Sequence, residues 1–381
     1  RCAGGRNRFL VAETRIGVTG NVRMHDPFPS RAEFRLWMWG MAGFGAEGLV
    51  YWSGTRWHAG HWPHWGAMLG FDGRPEPDTA WIAELGEEFA RLGPALRAAP
   101  VAATAAVVTD HDGRNALEVY PHVPSGPRLV PEAFDALHRL GTGADALDTR
   151  RLARGVPDSV RLLLVAGAPT LGDAAVPALE AFVARGGALL VGPVAGYQAA
   201  DGVFRRDGLG GGLAALCGTR TTSLRRMGVV GDPEGARHVA RWSESWGGGE
   251  TPLALDGLLE LLDPGPEAEV VARLLHAEPV LADRPVATLR RIGRGAVLRL
   301  GIWPGEDALP SLLARLAGLE AAPLAPDVRA VPRADGSRFV MNFRRTAVTV
   351  PLAAATDRIA GRAVDGPTEL QPHEVLWLAP T

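Results

Sequence analysis

The sequence contains no lysine, so all 40 of its basic residues are arginine. With 48 glycines, 30 prolines and abundant alanine, this reads as the codon bias of a GC-rich genome rather than a tuned surface. Net charge is -2, so there is no global basic excess of the kind that favours nucleic acid or an anionic membrane. Cysteine is nearly absent. Cys2 and Cys217 stand far apart without metal-ligand spacing, which argues against a disulfide framework and for a reducing compartment, cytoplasmic by expectation. No run approaches the ~18 apolar residues of a membrane span. The first ten residues carry three arginines and no apolar core, so no signal peptide is read there. Because the chain starts at Arg1 rather than Met, that terminus says nothing about export.

What is present is a globular composition, 46% hydrophobic and 22% charged over 381 residues. That length is too great for one ordinary core and predicts two or three domains. Phe9 to Ala12 reads as a short buried parallel strand. A helix follows, with Ser30 as N-cap and Glu33 at capping-box spacing, and with Phe34, Trp37, Met38 and Met41 at helical intervals. Gly45 or Gly48 can end it. "GLVYW" is the next buried strand, and Asp78 to Leu92 an amphipathic helix closed by Gly93 and Pro94. Strand, helix, strand, helix is the grammar of an α/β barrel or a doubly wound sheet.

The pattern restarts near Val101. "VAATAAVVTD" is a strand, Pro131 to Leu140 a helix, "VRLLLVAGAP" a buried strand, Asp173 to Arg185 a helix and "ALLVGP" another strand. This is a second α/β domain, read as an open parallel sheet. Gly202 to about Arg284 reads as irregular. A hairpin turning at Gly293 to Gly295 and a helix from Ala308 to Leu319 complete the unit. "LEAAPLAPDV" has linker composition, and the strands "RFVMNF", "AVTVPL" and "EVLWLAP" make a small all-β domain.

Two stretches carry chemistry. The run "FLVAETRIG" stops on Glu13, and a carboxylate just past a strand is ordinarily a solvated loop residue. In an α/β barrel, however, the carboxyl ends of the strands build the active site, and a glutamate there can act as a glycosidase nucleophile. The second stretch, "YWSGTRWHAGHWPHWGAML", follows the next strand and so lies at the same end. Its aromatic faces suit the C–H faces of sugar rings, and its imidazoles suit hydroxyls. Trp52, Trp57, His61, Trp62, His64 and Trp65 are therefore candidate substrate-binding residues. His58, His61 and His64 recur every three residues, as a metal site might require. Gly60 and Pro63 break any single helix there and no carboxylate or cysteine ligand adjoins, so no metal and no cofactor is assigned. Ordinary packing histidines are the plain alternative.

The stretches "FLVAETRIG", "RLWMWGMAGFGAEGLVYW" and "WGAMLGFDGRPEPDTAWIAELGEEFARLGPAL" resemble, in order, landmarks of the family-42 glycoside hydrolases, typified by β-galactosidases. "VRLLLVAGAP…LEAFVARGGALLVGP" is similar to the family's central α/β domain, and "RFVMNFRRTAVTVPL…GPTELQPHEVLWL" to its small carboxyl-terminal β domain. The resemblance implies an α/β multidomain protein in three parts. Residues 1–99 would be the last two βα units of a TIM (β/α)8 barrel. Residues 100–321 would be a flavodoxin-like, amidotransferase-like trimerisation domain, and residues 322–381 the β domain. It further implies Glu13 as nucleophile, a β-galactoside as substrate and a homotrimer as the assembly. The family's usual "M-E-Q" is "AET" here, Asn21 stands near its following tryptophan, and "HAGHWPHWG" replaces a Glu and His that grip a galactose hydroxyl.

A retaining glycosidase also needs an acid/base carboxyl, which in this family follows an Asn on an earlier strand. No Asn-Glu pair occurs in the chain. Asp26, Glu33 and Glu47 are the nearby carboxylates. Six barrel strands are thus expected upstream, and the chain alone is expected to be inactive. The rival reading is a non-catalytic oligomerisation or sugar-binding fragment. The central domain also resembles class-I glutamine amidotransferases in architecture, but "LLLVAGAPTL" offers no cysteine at its elbow. "GLGGG" reads as a flexible loop, Cys217 as helical, and Asp110, Asp112 and Arg114 as a polar turn.

Overall fold

The computed structural model describes residues 9–16, 20–21, 24–25, 29–117, 126–206, 210–226, 239–252, 258–276, 278–305, 307–320 and 322–381. Cys2, Asp26 and part of "GLGGG" lie outside the described residues. No helix among the described residues is long and apolar enough to cross a membrane.

Strand β1 (Phe9–Arg15) is followed by two short strands, β2 (Gly20–Asn21) and β3 (Met24–His25), then helix α1 (Arg31–Gly43), strand β4 (Ala46–Trp52) and helix α2 (Thr79–Ala98). Ser30 caps α1 as its position predicts, its Oγ accepting the Glu33 N–H at 3.1 Å. β1 and β4 pair in parallel as a two-stranded sheet. Neither is the buried strand the apolar runs predict. Leu10 is 67% and Val50 53% exposed. Parallel strands bury both faces only when other layers cover them, and among the described strands these two have only each other.

The expected stop at Gly93 and Pro94 also fails. α2 runs through both to Ala98. An internal proline costs a helix about 3 kcal/mol, but Leu92 and Leu96 on either side are buried in a shared core. Tertiary packing outweighs the local penalty.

The middle of the chain builds one nine-stranded sheet. Its elements are β5 (Ala103–Thr109), α3 (His111–Leu117), α4 (Gly126–Arg139), β6 (Gly143–Asp148), α5 (Thr149–Leu152), β7 (Leu162–Val165), α6 (Val176–Ala184), β8 (Ala188–Val191) and α7 (Gly212–Cys217). Then come β9 (Thr219–Arg226), β10 (Val239–Trp242), β11 (Glu250–Pro252), β12 (Leu258–Pro264), β13 (Glu269–Leu275), β14 (Pro285–Ile292), β15 (Gly295–Leu300) and α8 (Ala308–Ala317). Strand order is β11-β10-β13-β14-β15-β8-β7-β5-β6, with β9 and β12 paired separately. β6, β5, β7, β8 and β15 are parallel, while β14, β13, β10 and β11 extend the sheet antiparallel. Order β6-β5-β7-β8 is that of a flavodoxin-like winding.

The unbroken apolar runs have a direct cause. Leu162, Leu164 and Leu190 enter the core on one face, and Leu163, Val165, Leu189 and Val191 the core on the other. The stretch read as irregular, Gly202 to Arg284, instead supplies β9 to β13. Its strands are short and several carry arginines on an exposed face, so hydrophobic periodicity is weak there. Asp110 is not a solvated turn residue either. It is buried, and its carboxylate accepts from Gly113 N–H at 2.9 Å and from Thr170 N–H at 2.8 Å and Oγ at 2.7 Å.

Strands β16 (Val328–Pro332), β17 (Arg338–Asn342), β18 (Val348–Asp357), β19 (Arg362–Leu370) and β20 (Val375–Pro380) form a five-stranded antiparallel sheet ordered β16-β17-β20-β18-β19. It shares one core with α1 and α2: Phe34, Met38, Trp39 and Leu92 pack with Phe339, Met341 and Trp377. A Cβ on Gly43 would meet the Phe339 ring at 3.1 Å, so a larger residue there would require the ring to shift by a few tenths of an ångström. Arg333, buried, donates to Ala99 O at 2.5 Å, Gly43 O at 3.0 Å and Leu96 O at 2.9 Å. One guanidinium thus satisfies the carboxyl-terminal carbonyls of both helices. Arg333→Ala is expected to cost about 2–4 kcal/mol in chemical denaturation, with Arg333→Lys recovering only part, because buried carbonyls lose charge-assisted donors.

Candidate active site

Glu13 lies in β1 and is exposed. The β1–β4 register slips between Val11 and Thr14, then places Thr14 opposite Tyr51 and Arg15 opposite Trp52. Glu13 therefore sits at the irregularity, at the same end of the sheet from which the tryptophan-rich loop departs. Arg15 lies over the Trp37 ring, 3.7 Å from its centroid. The Tyr51 hydroxyl is pushed up to about 12 by burial, so it stays protonated at neutral pH.

The loop from Ser53 to Asp78 is a folded unit. Leu69 N–H donates to Gly54 O and Arg56 N–H to Leu69 O, each at 3.0 Å, while Thr79 Oγ donates to Met68 O at 2.7 Å. Arg56 ties its two halves together, bonding Glu76 at 2.5 Å and the Trp65 carbonyl at 3.3 Å. Neither Arg56 nor Glu76 stands out in the sequence, because a pair 20 residues apart has no helical or strand period. The Trp52–Ser53 peptide is cis.

Three of the tryptophans meet edge-to-face. Ring centroids are 5.1 Å apart for Trp52 and Trp65, 5.1 Å for Trp62 and Trp65, and 5.8 Å for Trp52 and Trp62. The Trp65 Nε1 is buried and has no hydrogen-bond partner. Trp57 stands 6.3 Å from Trp52 and is largely exposed, as are His61 and His64. His58 sets its edge against Phe71. Among the described residues no group of three or more His, Cys, Asp or Glu side chains could hold a metal.

Glu33 contributes its backbone N–H to the cap of α1. Glu47 lies at the amino end of β4, four residues before Tyr51. At about 3.3 Å per residue, that is roughly 10 Å or more from Glu13, against the ~5–5.5 Å of a retaining pair. Glu47 is therefore too far from Glu13 to be its acid partner. A cavity of about 590 Å³ lies between β4 and α2, lined by Leu49, Tyr51, Ile82, Phe89 and Arg333, and the tryptophan loop does not reach it.

The middle sheet does contain a sharp elbow, after β8 rather than β7. Its central residue, Val194, has φ 66°, strained for a β-branched side chain. Valine offers no nucleophile. Cys217 ends α7 instead, fully buried, and burial pushes its thiol up to about 11.

A family model of the β-galactosidase trimerisation domain matches residues 134–322. The chain is 28% identical over 360 residues to the β-galactosidase Bga of Halorubrum lacusprofundi, a match covering 90% of this chain and 48% of that protein. It superposes on the β-galactosidase structure from the same haloarchaeon with TM-score 0.83 at 24% identity, covering 97% of this chain and 53% of that one. With Gan42B, a GH42 β-galactosidase from G. stearothermophilus, the TM-score is 0.80 at 17% identity, covering 97% and 54%. The chain spans about half the length of the curated relatives it matches. The shared architecture is an α/β fold with several sheets, and residues 134–322 carry the β-galactosidase trimerisation domain, within a chain similar over most of its length to β-galactosidases.

Proposed function

We propose that the full-length polypeptide containing this chain is a retaining β-glycosidase acting on terminal β-D-galactosides. Residues 1–99 would contribute the last two βα units of its barrel. Glu13 would attack the anomeric carbon as nucleophile, and Trp52, Trp57, His61, Trp62, His64 and Trp65 would shape the sugar subsite. What supports the reading is the parallel register of β1 on β4, with Thr14 opposite Tyr51 and Arg15 opposite Trp52, which holds Glu13 near the carboxyl end of β1.

The chemistry is a double displacement. The Glu13 carboxylate forms a bond to the anomeric carbon as the bond to the leaving oxygen breaks, and that oxygen takes a proton from a second carboxyl. Water, deprotonated by the same group, then releases the sugar with its original configuration. The second carboxyl would come from an earlier strand of the barrel, outside this chain.

The full-length polypeptide is expected to hydrolyse an aryl β-galactoside, with the β-anomer released first in proton NMR. Residues 1–381 alone are expected to show no turnover, because general acid catalysis contributes roughly 10²–10⁴ in rate. First release of the α-anomer would refute the mechanism. Assembly through the nine-stranded sheet is expected to give a trimer, and a monomeric mass in light scattering at micromolar concentration would count against it.

A further inference from the structure

We propose that a one-residue bulge in β1, latched by Arg15 on the Trp37 ring, aims Glu13 away from the helices, so that Arg15 and Trp37 are positioning residues for the nucleophile. The proposal rests on the reading of Glu13 given above.

The register shows the extra residue. From Val11 to Thr14, β1 advances three residues, while β4 advances two, from Leu49 to Tyr51. Leu49 and Tyr51 pack against the core that α1 and α2 share, so their partners Val11 and Thr14 lie on the helix-covered face. Thr14 accordingly lines a cavity with Leu36, Trp37 and Gly40 of α1. Regular pleating cannot place both Val11 and Thr14 there, because an odd step along a strand changes face. The bulge absorbs the difference and leaves Ala12 and Glu13 side by side on the opposite, open face. Burial follows that division: Ala12 and Glu13 are exposed, Val11 and Thr14 half-buried.

Had β1 run on from Val11 without the bulge, Glu13 would oppose Tyr51. Its carboxylate would then enter the layer where Tyr51 stacks on Phe34, at the desolvation cost of a buried charge. Bulges re-aim side chains in this way.

Two contacts hold the strand beyond the bulge. The Arg15 guanidinium lies 3.7 Å from the centroid of Trp37, a ring of α1 that packs on the core shared with the carboxyl-terminal sheet. Ile16, next along, is fully buried. With the cation off the ring, the strand end is freer to slip by one residue, which turns Glu13 to the other face. Catalysis is sensitive to far smaller movements, since a displacement of about 1 Å can cost on the order of 10²-fold.

The test uses the full-length polypeptide and an aryl 2-deoxy-2-fluoro-β-galactoside with a dinitrophenolate leaving group. The Glu13 carboxylate bonds to the anomeric carbon as dinitrophenolate departs with the bonding pair. That anion needs no proton, so the inactivation rate reports the nucleophile without its acid partner. Trp37→Leu is expected to lower the first-order inactivation rate about 3–30-fold, the range of a cation–π contact, with the inhibition constant unchanged. Trp37→Phe, which keeps an aromatic face, should recover part of the loss. Arg15→Gln, which leaves the α1 core intact, should lower the same rate, and Arg15→Lys should recover part of it. An unchanged rate, a loss confined to the inhibition constant, or a loss that neither conservative variant recovers overturns the proposal. If the wild-type polypeptide carries no label on the peptide holding Glu13, the nucleophile reading fails on its own. Amide hydrogen exchange then decides the latch. Faster exchange at Thr14 and Arg15 in Trp37→Leu, with the α2 amides unchanged, supports it; unchanged exchange there, or acceleration throughout α2, overturns it.

Discussion

Glu13→Ala in the full-length polypeptide is expected to abolish turnover of an activated aryl β-galactoside, and azide is expected to restore part of it. The loss should be on the order of 10⁴-fold or more, as when a covalent nucleophile is removed. The side chain is exposed and makes no core contact, so the substitution should leave the melting temperature within about 2 °C of wild type. The two effects are therefore separable. Azide can enter the space vacated by the carboxylate and attack the same face of the sugar. With no second displacement to follow, the product is an α-galactosyl azide of inverted configuration. A missing acid/base would instead leave the nucleophile in place and give a β-azide. A missing structural contact would give no rescue at all. Near-normal activity in Glu13→Ala would remove Glu13 from the mechanism.

Glu260→Gln should produce the largest loss of stability, about 3–5 kcal/mol. Glu260 is fully buried on β12 and forms an ion pair with Arg299 of β15, itself 5% exposed. Its other contacts are the Val194 N–H at 2.7 Å and the Thr221 hydroxyl at 2.8 Å. It therefore joins the paired β9 and β12 to the main sheet and also holds the elbow whose Val194 has φ 66°. Removing the negative charge strands a guanidinium in the interior. For a domain of about 200 residues the melting temperature should fall by roughly 6–20 °C. Replacing both partners, as in Glu260→Leu with Arg299→Leu, should cost less than the sum of the single changes, because no buried charge is left unpaired. Strict additivity in that double-mutant cycle would show that the two side chains act independently.

How much of this was legible beforehand differs from residue to residue. The Ser30 cap, the hairpin at Gly293 and the run "VRLLLV" could be read directly, because capping, tight turns and two-sided burial each leave a local signature. The extent of α2 could not be read. Pro94 signals a stop, and only the packing of Leu92 and Leu96 against the carboxyl-terminal sheet explains why the helix continues. In the candidate site, the aromatic and histidine content of the loop was visible at once. The packing of Phe71 was not, since nothing in "FDGRP" foretells that His58 and Arg56 fold back against it.

By itself, then, the sequence determined what depends on neighbours along the chain: the alternation of strands and helices, the capped start of α1, and the composition of the tryptophan loop. The order of landmarks that carries the family resemblance belongs with these, since order is a property of the chain. Tertiary structure alone decided what depends on residues brought together from afar. It set the register that places the Glu13 strand beside Trp52, the Arg56–Glu76 staple and the Arg333 clamp on two helix ends. It also buried Glu260 against Arg299. The physical reason is that hydrophobic periodicity and capping act over a few residues. A buried charge or an orphan carbonyl is satisfied by whatever donor the fold delivers, at any separation in sequence.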